Sequence, residues 1–256
     1  MTDWAAYLAD YHDANPGVTE DLLADALDSE GRSPYAWLIE AVHKAGALVV
    51  DLACGNGPVL RRLDERRAVG IDRSHGELAR GRATAHGMPL VRGDMAAVPI
   101  RGGIVGAVTV SMALMLASPL EAVLAEARRL LVPGGVLAAT VPTRSSRCDR
   151  VSTQLLFVKI LTRLGQLGTD YPEHLPAKSL PARFAAAGFE LGEDRHAHFV
   201  RQISTAAEAD LVMRSFYTPG TTEERLHSAA EMLRRKVARA PVTLAYPIRR
   251  LVAVAR

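Results

Sequence analysis

Residues 48–60 read Leu-Val-Val-Asp-Leu-Ala-Cys-Gly-Asn-Gly-Pro-Val-Leu. An apolar run rich in β-branched residues stops at Asp51, turns through Gly55 and Gly57, and resumes with the apolar spacing of a helix. That order is the signature of a strand, a turn and a helix. Glycine lacks a Cβ, so the turn can take positive φ and approach a ligand closely, while the first amides of the next helix point outward as donors. Pro58 suits the first helical turn, where a missing N–H costs little. Taken alone, the stretch also fits a βα turn that uses glycine only for its geometry, because short glycine motifs often match by chance.

The neighbouring segments change that balance. Ala68-Val-Gly-Ile-Asp72 reads as a second short strand ending in a carboxylate, 21 positions after Asp51. An acid at that place can accept hydrogen bonds from both ribose hydroxyls of an adenosine lying over the glycine turn. Leu90-Val-Arg-Gly-Asp94 gives a third strand with an acid at its end, placed to accept a hydrogen bond from an adenine amino group.

Three strands ending in Asp51 with its turn, Asp72 and Asp94 resemble the class I S-adenosylmethionine-dependent methyltransferases, in their small-molecule branch. The likeness continues through Arg129-Leu-Leu-Val-Pro-Gly-Gly-Val-Leu-Ala-Ala-Thr140, which is similar to the family's helix, Pro-Gly-Gly turn and fifth strand. Residues 47–141 carry it, with four motifs in order. Ala53 stands where the family often has its first glycine, a mild departure. The resemblance implies a Rossmann-like α/β fold of seven strands, parallel but for one reversed, with helices on both faces. It also implies S-adenosyl-L-methionine across the carboxyl ends of strands one to four, leaving S-adenosyl-L-homocysteine as product. The cofactor-binding residues it points to are Asp51, Ala53, Gly55, Asn56, Gly57, Asp72, Arg73, Asp94, Met95 and Ser111. A nicotinamide dinucleotide is the rival cofactor, but Leu60 stands where that fingerprint needs its third glycine. Asp51 also suits the cationic methionine end of S-adenosylmethionine better than a pyrophosphate.

At 256 residues and 48% hydrophobic content, the chain can bury one substantial core, and no Pro/Ser-rich or charged linker divides it. We expect one structural domain: a helical cap over residues 1–46, then a cofactor-binding domain over 47–256 with cap insertions at about 142–178 and 205–239. Cys54 and Cys148 offer neither a disulfide framework nor metal spacing. With no signal-peptide pattern and no apolar run of membrane length, the expected setting is cytoplasmic. The formal charge of +3 is spread rather than blocked. Arg234, Arg235, Lys236 and Arg239 read as a solvated helix face, since no aromatics interleave them. A small-molecule acceptor is therefore preferred to nucleic acid, and a monomer or homodimer is expected.

Trp4, Tyr7, Leu8 and Tyr11 share one face at helical spacing before a break at Asn15-Pro16-Gly17. A second helix is predicted from Thr19 to about Glu30, and a third from the capping pair Ser33-Pro34. Crossover helices are predicted over Gly57 to about Arg66 and Ser74 to about His86, and a helix pair over 205–239. Two accounts of the opening stretch stay open: plain packing on the sheet, or a lid in which Trp4, Tyr7, Tyr11 and, from the insertion, Tyr171 border the acceptor.

After the fourth strand the chain reads Ser111-Met-Ala-Leu-Met115. It lacks the Asn/Asp-Pro-Pro-Tyr of planar-nitrogen methyltransferases, the cysteine of pyrimidine C5 enzymes and the carboxylates of metal-dependent catechol enzymes. His196 and His198 share a strand face but have no third ligand in sequence, so no metal is expected. His43, His75 and His86 read as surface or capping residues. The expected reaction is in-line methyl transfer to an O, N or C nucleophile of a small molecule, mainly by alignment. If a base takes part, His12 and His174 are the candidates. An RNA or protein methyltransferase, and a non-methylating protein of the same fold, are the alternatives.

Overall fold

The computed structural model describes residues 3–42, 48–63, 68–84, 87, 89–143, 151–166 and 171–256. Seven strands form one sheet: β1 (Leu48–Leu52), β2 (Ala68–Asp72), β3 (Leu90–Arg92), β4 (Val105–Ser111), β5 (Leu131–Pro142), β6 (Phe189–Ile203) and β7 (Val242–Ala255). Their order is β3-β2-β1-β4-β5-β7-β6. The first five pair in parallel, and β7 runs antiparallel to both β5 and β6. The expected mostly parallel sheet with one reversed strand is present. Because chain order turns back between β1 and β4, their carboxyl ends open a crevice where such sheets bind ligands.

β4 is buried from Val105 to Val110, as a central strand covered on both faces must be. Successive residues go to opposite sides. Val49, Ala107 and Ala138 join one core with Trp37, Phe199 and Leu233, while Val50, Val108 and Leu137 join the other with Leu124 and Phe184. The second core lies under α5 (Leu120–Leu130) and α7 (Leu180–Ala186). The first lies under α2 (Val18–Leu23), α3 (Pro34–Glu40), α6 (Val151–Leu164), α8 (Ala206–Arg214) and α9 (Glu223–Arg239).

Several boundaries follow the sequence. α1 (Trp4–Ala14) ends at Asn15, Ser33 caps α3 by accepting from the Ala36 amide at 3.2 Å, and α4 (His75–Thr84) begins after Ser74. The helix predicted to reach Glu30 instead stops at Leu23. Leu27 exchanges backbone hydrogen bonds with Val200 at 3.0 and 2.7 Å, and the Asp28 carboxylate accepts from the amides of Glu30 and Arg32, both at 2.9 Å. These bonds offer the backbone a turn and an edge bridge in place of a helix. The predicted helix after Gly57 is a short 3-10 turn, Leu60–Arg62, within the described residues. His43, His86 and Cys148 lie outside them. On α9, Arg234 and Arg235 donate to Asp210 and Glu231, each at 2.7 Å, so that face pairs internally with carboxylates. No helix among the described residues is long and apolar enough to cross a membrane.

Candidate active site

The glycine turn and the strand ends form a floor. Ala53, Gly55 and Gly57 have φ of 52°, 53° and 86°. The Gly55 amide donates to Asp72 Oδ2 at 2.7 Å and the Ser74 amide to Oδ1 at 2.8 Å, which pins this carboxylate between the turn and α4. An ionised carboxylate has about four acceptor sites, so both oxygens keep capacity toward a ligand. Burial pushes the Asp72 acid above its ordinary range, against the pull of these two amides. Asp94 accepts from Arg73 at 2.5 Å and from the Ala96 amide at 2.8 Å.

Asp51 lies beneath the turn, 1% exposed; Thr109 donates to its Oδ1 at 2.7 Å, and Oδ2 has no partner. Burial raises this carboxyl to about 7, with Thr109 opposing and the nearby Asp72 charge adding. Ala53 and Met112, at the ends of the adjacent strands β1 and β4, are the non-glycine residues with positive φ among those described. A left-handed conformation costs an L-residue about 1–2 kcal/mol. Both line the same cavity, so the strain is concentrated where backbone shape matters to a ligand.

That cavity, of about 250 Å³, is bordered below by Ala53, Gly55, Asn56, Asp72, Asp94 and Met95. Its roof is α1, where Trp4, Leu8 and His12, four residues apart on one face, line the space. The helix is tied down on two sides. Toward α4, the Asp13 carboxylate accepts from Ser74 Oγ at 2.6 Å and from the Gly76 amide at 3.0 Å. A Cβ on Gly76 would lie 2.8 Å from the Asp13 carbonyl, so the close approach needs glycine there. Toward the segment between α8 and α9, Tyr7 Oη accepts from the Thr218 amide at 2.7 Å, and Tyr11 donates to the Arg214 carbonyl. The rings of Trp4, Tyr7 and Tyr11 meet Tyr217 edge to face, with centroids 6.4, 6.5 and 4.8 Å away.

Glu77, 3% exposed, joins roof to floor. Its Oε2 accepts from the Gly17 amide at 2.8 Å, and its Oε1 lies 3.1 Å from His12 Nδ1. His12 Nε2 lies 3.0 Å from the Tyr217 oxygen. Glu20 of α2 accepts from Asn56 Nδ2 at 2.7 Å and from Arg61, which fixes the side chain between the two turn glycines.

Of the sequence-predicted residues, Ala53, Gly55, Asn56, Asp72, Arg73, Asp94, Met95, Ser111, Trp4 and His12 line this one cavity. Asp51 and Gly57 support the turn from outside the lining. Tyr7, Tyr11 and Tyr171 pack around Tyr217 rather than facing the cavity, with Tyr171 at 6.3 Å. His174 is exposed, its carbonyl accepts from Arg183, and it does not border the space. Sequence reasoning missed Glu77 and reached Tyr217 only through the cap insertion expected at about 205–239. Ser74-His-Gly-Glu77 has the spacing of a capping box, and the Glu77 amide does donate to Ser74 Oγ at 3.1 Å. Its carboxylate, however, turns to His12 and Gly17.

Residues 50–139 match the family described as methyltransferase domain. The chain is 32% identical over 152 residues to trans-aconitate 2-methyltransferase of Acidovorax sp. (strain JS42), covering 57% of this chain and 55% of that protein. It is 34% identical over 122 residues to demethylmenaquinone methyltransferase of Beutenbergia cavernae, covering 47% and 50%. The chain thus spans about half the length of the curated relatives it matches. Among solved structures, the (4+2)-cyclase SpnF superposes with a TM-score of 0.60 at 17% identity, covering 97% of this chain and 94% of that one. Sheet order and strand-end acids agree with these likenesses: residues 50–139 match a methyltransferase domain, within a fold shared with the superposed structure.

Proposed function

We propose that the chain binds S-adenosylmethionine in the cavity between glycine turn and α1, and transfers its methyl group to a nucleophile of a small molecule. The observation that carries this reading is the convergence of Gly55, Asp72, Asp94 and Met95 on one roofed cavity. Asp72 would take the ribose, and Asp94 with Met95 would border the adenine. Asp51, with its orphaned oxygen one layer below, would supply negative potential under the methionine end. The bound cofactor supplies an already activated methyl group, so the chain's own work is to align the acceptor and exclude water. Trp4, Leu8 and Leu116 give the cavity apolar walls for that purpose. The two curated relatives, named for small-molecule substrates, favour a small acceptor. The reading includes a cytoplasmic setting, in keeping with the buried free thiol of Cys54.

The test supplies methyl-labelled S-adenosylmethionine with the small-molecule extract and, separately, the macromolecular fraction of one lysate. Label recovered by mass spectrometry in the small-molecule fraction is the expected result. Label in RNA or protein contradicts the acceptor class. Tight cofactor binding with no transfer to either fraction overturns the transfer itself and favours a non-methylating role, the fold being compatible with one.

A further inference from the structure

His12 has both ring nitrogens engaged, and by groups from two different parts of the chain. Nδ1 lies 3.1 Å from the Glu77 carboxylate of α4, and Nε2 lies 3.0 Å from the Tyr217 phenol between α8 and α9. The other oxygen of Glu77 accepts from the Gly17 amide at 2.8 Å, so its two oxygens tie α1 and the start of α2 to α4. Where Glu77 is a carboxylate it accepts only, and the imidazole hydrogen then sits on Nδ1. Nε2 is then a bare lone pair, and Tyr217 must be the donor to it. Tyr217 and His12 both line the cavity, and so does Glu77. The direction of all three hydrogen bonds is thereby set from the buried end: Gly17 and His12 to Glu77, and Tyr217 to His12.

We propose that Glu77, His12 and Tyr217 form a proton relay whose phenol end serves a neutral acceptor that sheds a proton on methylation: an alcohol, a phenol or an uncharged amine bearing an N–H. The proposal rests on the transfer reading above. As the acceptor atom forms its bond to the methyl carbon, the carbon–sulfur bond of the sulfonium donor breaks and its electron pair stays on sulfur. The acceptor's proton passes to Tyr217 Oη while the phenol's own proton passes to His12 Nε2. The imidazolium so formed faces the Glu77 carboxylate and returns its proton to solvent after product leaves. Charge balances: a sulfonium cation and a neutral acceptor become a neutral thioether, a methylated product and one proton.

Burial, with the neighbouring Tyr11 and Tyr171, holds the Tyr217 phenol well above its ordinary range, so it is neutral before and after the step and serves as a conduit. The groups facing the relay are Asp72 at the floor, Tyr7 and Tyr11 on α1, Tyr171 and Glu77 itself. His12 is thus a positioning and proton-storing residue that acts through Tyr217, which replaces the direct attack on the acceptor's proton expected for a lone histidine.

A pin that merely holds α1 closed would use the same contacts, so the test separates proton direction from attachment. ¹⁵N-histidine NMR of the cofactor-free full chain at mildly alkaline pH should show His12 as the Nδ1–H tautomer, and E77Q should mix the tautomers. An Nε2–H tautomer in the wild type overturns the relay. With S-adenosylmethionine and a panel of small alcohols, phenols and amines as acceptor probes, Y217F keeps the ring and its packing. It should lower kcat about 100-fold, the scale of general acid–base catalysis, leaving KM and S-adenosylhomocysteine affinity within about 2-fold. Retained kcat in Y217F, or a matched loss of cofactor affinity, overturns the proposal in favour of a pin. If the chain binds S-adenosylhomocysteine but methylates no probe, the transfer reading fails, while the tautomer still decides the direction of the relay.

Discussion

The floor and the roof of the cavity are built by different physics. The floor is backbone and short acids at the ends of parallel strands, and its main bond, Gly55 to Asp72, spans 17 positions. The roof is a single helix held by side chains, and its contacts from Tyr7, Tyr11 and His12 span 211, 203 and 205 positions. A floor of this kind is set once β1, β2 and β4 pair, because the turn has nowhere else to go. The roof closes only when α8 and α9 have docked, and each of its bonds is individually small. The floor should therefore set cofactor affinity, and the roof should set access and acceptor chemistry.

The largest effect should come from breaking the floor's backbone. Gly55→Val forces a β-branched residue to φ near 53° and puts bulk where a ligand approaches. S-adenosylhomocysteine binding should fall at least about 100-fold by calorimetry, a shift of roughly 2.7 kcal/mol. Asp72→Ala should follow closely. It removes a carboxylate from a charge-assisted pair of hydrogen bonds, and the expected loss is about 1.5–3 kcal/mol in a folded protein. Unchanged affinity in either variant would move the cofactor away from the turn.

Asp51 gives a pH signature. In the ligand-free chain its acid ionises near 7, and a bound sulfonium and ammonium favour the carboxylate. S-adenosylmethionine affinity should rise as pH climbs through about 7 and then level off, by up to about 10-fold per pH unit below it. Asp51→Asn should flatten the profile. The sign for folding is the reverse: raised from 3.8 to about 7, this group contributes stability that is full below 3.8 and lost as pH rises through about 7. Titration curves that coincide for wild type and Asp51→Asn would remove Asp51 from the account.

Breaking the roof should cost less. Tyr7→Phe with Tyr11→Phe removes two hydrogen bonds of about 1 kcal/mol each while keeping the rings. Thermal stability should drop, and cofactor affinity should fall by less than about 10-fold. A larger loss of affinity than in Asp72→Ala would invert the comparison. The smallest effect belongs to Ala53→Gly. It relieves left-handed strain of about 1–2 kcal/mol but adds unfolded-chain entropy of about 0.4–1 kcal/mol, leaving a gain of up to about 1.6 kcal/mol in urea unfolding.

The same division explains what the sequence made legible. Asp51, Asp72 and Asp94 each end an apolar run, and glycine pairs announce turns, so strand ends and floor could be read from local pattern. The left-handed backbone at Ala53 was less visible because alanine carries no signal for positive φ. The roof was half legible. Helical spacing put Trp4, Tyr7, Leu8 and Tyr11 on a face, yet which of them would line the cavity depended on Tyr217, two hundred residues away in a loop no motif marks. His12 was singled out but its partners were not, since Glu77 reads locally as a capping residue. His174 fell away because proximity in sequence to Tyr171 did not bring it to the cavity. The helix predicted to reach Glu30 failed on a similar count: its end is decided by Val200 on a distant strand.

Hydrogen exchange of the full chain with and without S-adenosylhomocysteine tests the floor and the roof most directly. Binding between floor and roof predicts slowed exchange in both Ala53–Gly57 and Trp4–Ala14, with the floor segment gaining at least as much protection as the helix. Unchanged exchange at Ala53–Gly57 in a chain saturated with the ligand would contradict it.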